Sequence, residues 1–256
     1  LTILAKISAA ILRKTRSLQE KNIYKLDDLD PYYTLVSYFN SIREMGGAYK
    51  MYEDSVPGFM QRIYNNFEVE DSIQTTITEK KSDEITDDDL TQSFETKDIQ
   101  IASKRKWVNN LMSPEELTSR IESSEIPDIL NRLEIGLKKG KPVDTLLSSN
   151  MLSVVVDLPR LGVMIINGQP KNHAEYIQAS GRIGRSGPGL IITSYNYLKP
   201  RDLSHYENFK FYHSTFYKHV ESVSLTPFSA RSRDRGLFGV VVALVRLLIP
   251  ILAENN

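Results

Sequence analysis

From Leu4 to Gln19 the apolar residues Leu4, Ile7, Ile11 and Leu12 recur at helical steps, with Lys and Arg gathered towards the end. This spacing predicts an amphipathic helix whose basic residues suit the negative end of its dipole. Beyond Pro31 the pattern changes: Tyr33 to Phe39 is dense in β-branched and aromatic residues and predicts a strand feeding a helical stretch from Ser41 onward. Ser113-Pro114-Glu115-Glu116 combines an N-cap, a proline at the first helical position and acids in the first turn, so a helix is expected to start near Pro114. Ile126 to Ile135 predicts another, closed by the turn that holds Gly140. Three apolar strand candidates follow, Val143–Leu147, Val163–Asn167 and Leu190–Tyr195, with a helical stretch from Ala174 to Arg185 between the last two. Phe209, Tyr212, Phe216 and Val220 lie three and four residues apart and predict a helix that covers the sheet with an aromatic stripe. Strands alternating with helices predict an α/β fold built on a parallel sheet.

Composition interrupts this pattern between Glu68 and Asp98, where acids and Ser/Thr dominate and large apolar residues are few, the mark of a flexible acidic insertion. The chain is therefore expected to divide into an N-terminal helical segment (1–29), a first part of the main domain (30–67), the insertion (68–98), the remainder of the domain (99–222) and a C-terminal extension (223–256). Within the extension, Leu237 to Ala253 is strongly apolar, but Arg246 and Pro250 interrupt it and it falls short of the about 20 residues a membrane span needs. It reads as a buried or partner-covered helix, and no membrane association is expected. The opening Leu1 to Lys14 has no basic segment ahead of its apolar run and no initiating Met, so it reads as an internal boundary of a longer chain.

Charge narrows the chemistry only locally. Thirty-two basic residues balance 32 acidic ones, so any nucleic-acid contact must come from a local surface. The absence of cysteine excludes disulfides, thiolate metal sites and cysteine nucleophiles, and makes a cytoplasmic location the expectation. The four histidines, 173, 205, 213 and 219, lack metal-ligand spacing and read as surface or helix-packing residues. Lys104-Arg105-Lys106-Trp107 is either a phosphate and base contact or a solvated basic turn.

The sharpest chemical signal is Gln178-Ala179-Ser180-Gly181-Arg182-Ile183-Gly184-Arg185. It lies on the predicted helix, where residues 178, 182 and 185 share one face and Gly181 and Gly184 remove bulk where another surface approaches. Two interior glycines would each cost about 1 kcal/mol against Ala, which argues for a reason beyond structure. Arginine suits the place because its planar, permanently charged fork pairs with phosphate oxygens.

This string resembles the sixth motif of superfamily 2 helicases. Ser148-Ser149-Asn150 through Asp157-Leu158-Pro159-Arg160-Leu161 is similar to their fifth motif, at the carboxyl end of a strand. Glu116 to Arg120, Gly168-Gln169-Pro170, Pro200 to Glu207 and Thr226-Pro227-Phe228 extend the likeness to the large helicase of DISARM-type phage-defence systems. The resemblance implies a RecA-like C-terminal lobe with helices on both faces of the sheet. Arg185, Arg182 and Gln178 would reach the phosphates of ATP, with Gly181, Gly184 and Asp157 at the nucleotide and Ser149 and Asn150 on a nucleic-acid phosphate. It further implies DNA as the favoured nucleic acid, an N-terminal RecA-like lobe as partner, and other defence subunits. ATP with Mg²⁺ would be held mainly by that other lobe, since no G-x-x-x-x-G-K-[ST] loop and no D-E-x-x string occurs here. The chain alone is expected to be inactive. One departure stands out: the family has Gly two residues before the Asp, and here Val155 occupies that place. A docking module on a degenerate lobe is the alternative.

Overall fold

The structure, a computed structural model, describes residues 2–79, 111–155, 157–220 and 230–249. Most of the expected insertion, the Lys104–Trp107 cluster and Thr226-Pro227-Phe228 lie outside the described residues. Helix α1 (Thr2–Glu20) and a short α2 (Leu26–Leu29) lead through a 3-10 turn into β1 (Leu35–Phe39), then α3 (Ile42–Glu79). There follow β2 (Glu115–Leu117), α4 (Ile126–Leu133), β3 (Thr145–Ser148), α5 (Met151–Val155), β4 (Val163–Asn167), α6 (His173–Ser180) and β5 (Leu190–Ser194). Helices α7 (Pro200–Glu207) and α8 (Phe209–Ser214) complete a first compact unit ending at Thr215.

The five strands are all parallel, in the order β2-β3-β1-β4-β5. Every residue of β1 is buried, as a central strand covered on both faces requires. Adjacent side chains show the two layers: Ser37 meets Tyr52 of α3 at 2.5 Å, while the Tyr38 hydroxyl donates to Glu175 of α6 at 2.5 Å on the opposite face. The first face is sealed by Leu4, Ala5, Ala9 and Leu12 of α1 and by Met45, Ala48, Tyr52, Val56 and Met60 of α3, packed on Leu35, Phe39, Leu147 and Ile165. The periodicity predicted for α1 is thus the one that is buried. A parallel sheet gathers the carboxyl ends of its strands along one edge, and the turns after β1, β3, β4 and β5 all project there.

Four local expectations differ from the structure. Glu115–Leu117 is a strand, not the start of a helix, because it pairs with β3 from Glu115 opposite Leu146 to Leu117 opposite Ser148. Its acids are occupied sideways, Glu115 by Arg132 and Glu116 by Arg120. The helix before Arg185 stops at Ser180. The expected aromatic helix is broken at Asn208 and Thr215, and of its stripe only Tyr212 is buried, while Phe209 and Val220 are exposed. Also, α3 continues to Glu79, past the residue 68 at which the insertion was expected to begin.

The second unit, Phe216–Asn256, holds a 3-10 turn (Phe216–His219) and α9 (Ala230–Leu248). Leu237, Phe238, Leu244, Leu247 and Leu248 of α9 are exposed in this chain. Among the described residues no helix is long and apolar enough to cross a membrane.

Candidate functional site

The arginine string is a turn, and its glycines make it one. Gly181 caps α6, its amide bonded to the Ile177 carbonyl at 2.9 Å. Gly184 has φ +76°, and a methyl group there would lie 2.8 Å from the Gly189 amide nitrogen. The single helical face expected for residues 178, 182 and 185 is therefore replaced by a helix end followed by a left-handed turn that only glycine adopts without strain. Gln178 stays on the last turn of α6, exposed, while Arg182 and Arg185 project from the turn beyond it.

The segment between α5 and β4 receives that turn. The Gly184 amide donates to the Leu161 carbonyl at 2.8 Å and the Ser186 hydroxyl to the Pro159 carbonyl at 2.7 Å. Arg185 forms an ion pair with Asp157 and also donates to the Gly181 carbonyl at 3.3 Å. Arg182 donates to the Ser153 carbonyl in α5. Leu161 lies two residues ahead of β4, so the arginines stand towards the amino end of that strand. Arg160 fastens the receiving segment from behind, donating to Asp30, to the Thr34 hydroxyl at 3.1 Å and to the Leu133 carbonyl at 2.8 Å.

Ser149 and Asn150 lie at the other end, where β3 runs into α5. Ser149 is buried and its hydroxyl donates to the Asn150 side-chain oxygen at 3.2 Å, so Asn150 is the exposed member. The two ends are joined through one residue: the Ser153 hydroxyl bonds the Asn150 carbonyl at 2.6 Å, and the Ser153 carbonyl takes Arg182. The structure thus brings Asp157, Arg182 and Arg185 together, and links them through α5 to Asn150. Val155 falls on the last residue of α5.

Sequence reading missed Asp202. Fully buried, it accepts the Gln169 amide at 3.1 Å with one oxygen and the Asn196 amide at 2.9 Å with the other, tying the turn after β4 to the turn after β5. Gly168, φ +80°, has no room for a methyl, which would meet this carboxylate at 3.0 Å. The signal available was Pro200-Arg201-Asp202, a proline at the first position of a helix with an acid just inside it. Three of the histidines pack in the same region: His205 lies 4.7 Å and His173 5.2 Å from the Tyr212 ring, and His213 bonds the Tyr176 hydroxyl at 3.2 Å. Burial, with His173 and Arg201 nearby, pushes the His205 pKa down, and burial pushes the Tyr212 hydroxyl up to about 12. Among the described residues no group of three or more His, Cys, Asp or Glu could hold a metal ion.

Residues 82–187 match the family described as the helicase conserved C-terminal domain, a span that includes β2, β3, β4 and the arginine turn. That stretch of the chain is similar to a helicase C-terminal domain. It is also 40% identical, over 99% of its length, to the DISARM protein DrmA of Bacillus paralicheniformis, of which it spans 19%. Among solved structures it is similar to the DUF1998 helicase MrfA bound to DNA, with a TM-score of 0.45 and 15% identity, covering 86% of this chain and 22% of that one. It is similar as well to the C-terminal part of the Fun30 ATPase domain, with a TM-score of 0.32 and 9% identity, covering 88% of this chain and 87% of that one. The parallel five-stranded sheet with helices on both faces agrees with the RecA-like fold expected of a helicase C-terminal domain.

Proposed function

We propose that this helicase C-terminal domain is the second lobe of an ATP-driven superfamily 2 helicase or translocase acting in bacterial phage defence. In this reading Arg185 and Arg182 are its arginine fingers and Asn150, with Ser149, contacts a nucleic-acid phosphate. The observation that carries it is the connection Asn150–Ser153–Arg182, because a motor must make the state of its track felt at its hydrolytic site. The likeness to a DISARM protein supports the defence setting.

ATP with Mg²⁺, bound mainly by an N-terminal RecA-like lobe, supplies the phosphoanhydride bond. On this chain, the residues fit one side of such a site: two guanidiniums on a rigid turn, one of them 36% exposed and paired with a carboxylate that is 71% exposed. Asp157 keeps Arg185 oriented and charge-balanced, and Arg185 exchanges that carboxylate for phosphate oxygens when the lobes meet. Arg182 acts at the same phosphates while its link to Ser153 registers the nucleic acid. Gln178, at the rim of the turn, joins the hydrogen bonding there.

The test is nucleic-acid-stimulated ATP hydrolysis by this chain alone, by the chain joined to its N-terminal lobe, and by the joined protein carrying Arg185→Ala. Turnover is expected only in the joined protein, and removal of the finger is expected to lower it by roughly 10³–10⁵. Near-normal hydrolysis by the Arg185→Ala protein would remove the finger assignment. Absence of turnover in the joined protein would favour a docking module.

A further inference from the structure

We infer that Tyr197, with Leu198 beside it, is a stacking site for unpaired nucleobases at the carboxyl edge of the sheet; this rests on the nucleic-acid reading given above. The turn from β5 to α7 displays two large side chains that a folded chain ordinarily covers, with Tyr197 78% and Leu198 72% exposed. The turn bearing them is fixed. The Asn196 amide is bonded to the buried Asp202 carboxylate, the Asn196 side chain takes the Leu198 amide at 3.0 Å, and the Asn196 carbonyl takes the Lys199 amide at 2.9 Å. Lys199 itself reaches Glu44 of α3 at 2.5 Å. From below, Tyr195 packs edge-on against Tyr206 at 6.4 Å and donates to Gln169 at 3.3 Å. A loop braced on both sides of Tyr197 could bury its tip if burial served the fold. It holds an aromatic ring and an isobutyl group out into solvent instead.

Charge and position name the occupant. Arg43 in the first turn of α3, Lys171 after β4 and Arg201 at the start of α7 are exposed along the same edge, while the acids among them are engaged, Asp202 by two amides and Glu44 by Lys199. Exposed cations on the same edge as an exposed aromatic tip are complementary to a phosphate backbone with free bases, for which an aromatic face serves every base alike. The sheet order sets the reach. Three inter-strand steps of about 4.8 Å separate β5 from β3, so Tyr197 stands about 14 Å along the edge from Asn150, the length of about four stacked nucleotides at about 3.4 Å each. A single strand whose backbone rests on Asn150 therefore delivers a base to Tyr197 a few nucleotides on. Duplex has its bases occupied in pairs and offers this site nothing to stack.

The experiment measures affinity for a short fluorescent oligothymidylate, for the same oligomer with abasic positions, and for a duplex, in the full chain and in its Tyr197→Ala and Tyr197→Phe variants. Tyr197→Ala is expected to weaken oligothymidylate binding by about 5- to 150-fold, the range one stacked base commands. Tyr197→Phe is expected to stay within about two-fold of the parent, because the ring face is retained. The parent is expected to bind the abasic oligomer as weakly as Tyr197→Ala does, with duplex binding equal in all three proteins. Equal oligothymidylate affinity in parent and Tyr197→Ala overturns the stacking site and leaves the nucleic-acid reading standing. Equal losses in the Ala and Phe variants also overturn it, since the hydroxyl or the loop would then be the cause. Failure of the parent to bind any of the three probes overturns the site together with the reading on which it rests.

Discussion

Gly184 combines a left-handed backbone with the Gly189 backbone at its α-carbon, so Gly184→Ala meets strain and collision together. Left-handed backbone alone costs an L-residue about 1–2 kcal/mol, and here the neighbour is backbone that cannot rotate away. Gly184→Ala is expected to lower the unfolding free energy by at least that amount in a denaturant titration, whereas a change within about 0.5 kcal/mol would show the turn to be pliable. The residue types of this site were legible in the sequence because guanidinium, amide and glycine each have few substitutes for the job. Their conformation was not. A glycine within a helical pattern and a glycine that ends a helix look identical in a string, and the bond from the Gly184 amide to Leu161 that separates the two comes from another segment. Asp202 was hidden for a related reason: an aspartate near a helix start satisfies a local rule, and nothing local shows that its oxygens serve two turns.

At the scale of elements, α1, β1 and α3 are held by apolar packing and by one polar bridge. The Tyr52 hydroxyl meets Ser8 of α1 at 2.7 Å and Ser37 of β1 at 2.5 Å, and all three residues are buried. Tyr52→Phe keeps the ring and strands two buried hydroxyls, so a loss of about 1–3 kcal/mol is expected in chemical denaturation. A neutral outcome would mean that Ser8 and Ser37 find other acceptors. The strands β1, β3, β4 and β5 were visible as apolar runs because buried parallel strands need no alternation. β2 was not, since Ser113-Pro114-Glu115-Glu116 is a sound helix opening by local rules and only the pairing with β3 overrides it. The break between α7 and α8 escaped the periodicity for the converse reason: aromatic residues at three- and four-residue steps continue across Asn208, where the backbone does not.

For the whole molecule, the same burial that builds the sheet sets its tolerance of pH. Tyr38 and Tyr52 have their ionisation pushed well above the ordinary tyrosine value, chiefly by burial, and for Tyr38 also by the Glu175 carboxylate that its hydroxyl faces. A raised value in the folded state means the unfolded chain ionises first, so this stability is complete below about pH 10 and is lost as pH rises through the folded value. His205 is displaced the other way, so its contribution is present above about pH 6.5 and lost as pH falls. Melting temperature against pH is expected to show a plateau falling on both sides, with the acid limb reduced in His205→Asn; an acid limb of unchanged slope would remove that residue from the account. The layers on the sheet follow from connecting parallel strands through helices, whereas the order of the strands had no counterpart in the pattern. The knot at Arg160 bears on the order in which such a molecule can assemble. It gathers Asp30, Thr34 and Leu133, and two of these lie 130 and 126 positions away in the chain. Closing so wide a loop costs entropy before any contact repays it. The perch of Asp157 is therefore expected to set late in folding, after Asp30 and Thr34 have reached Arg160, and partial opening around Asp30 is expected to slacken the arginine turn first.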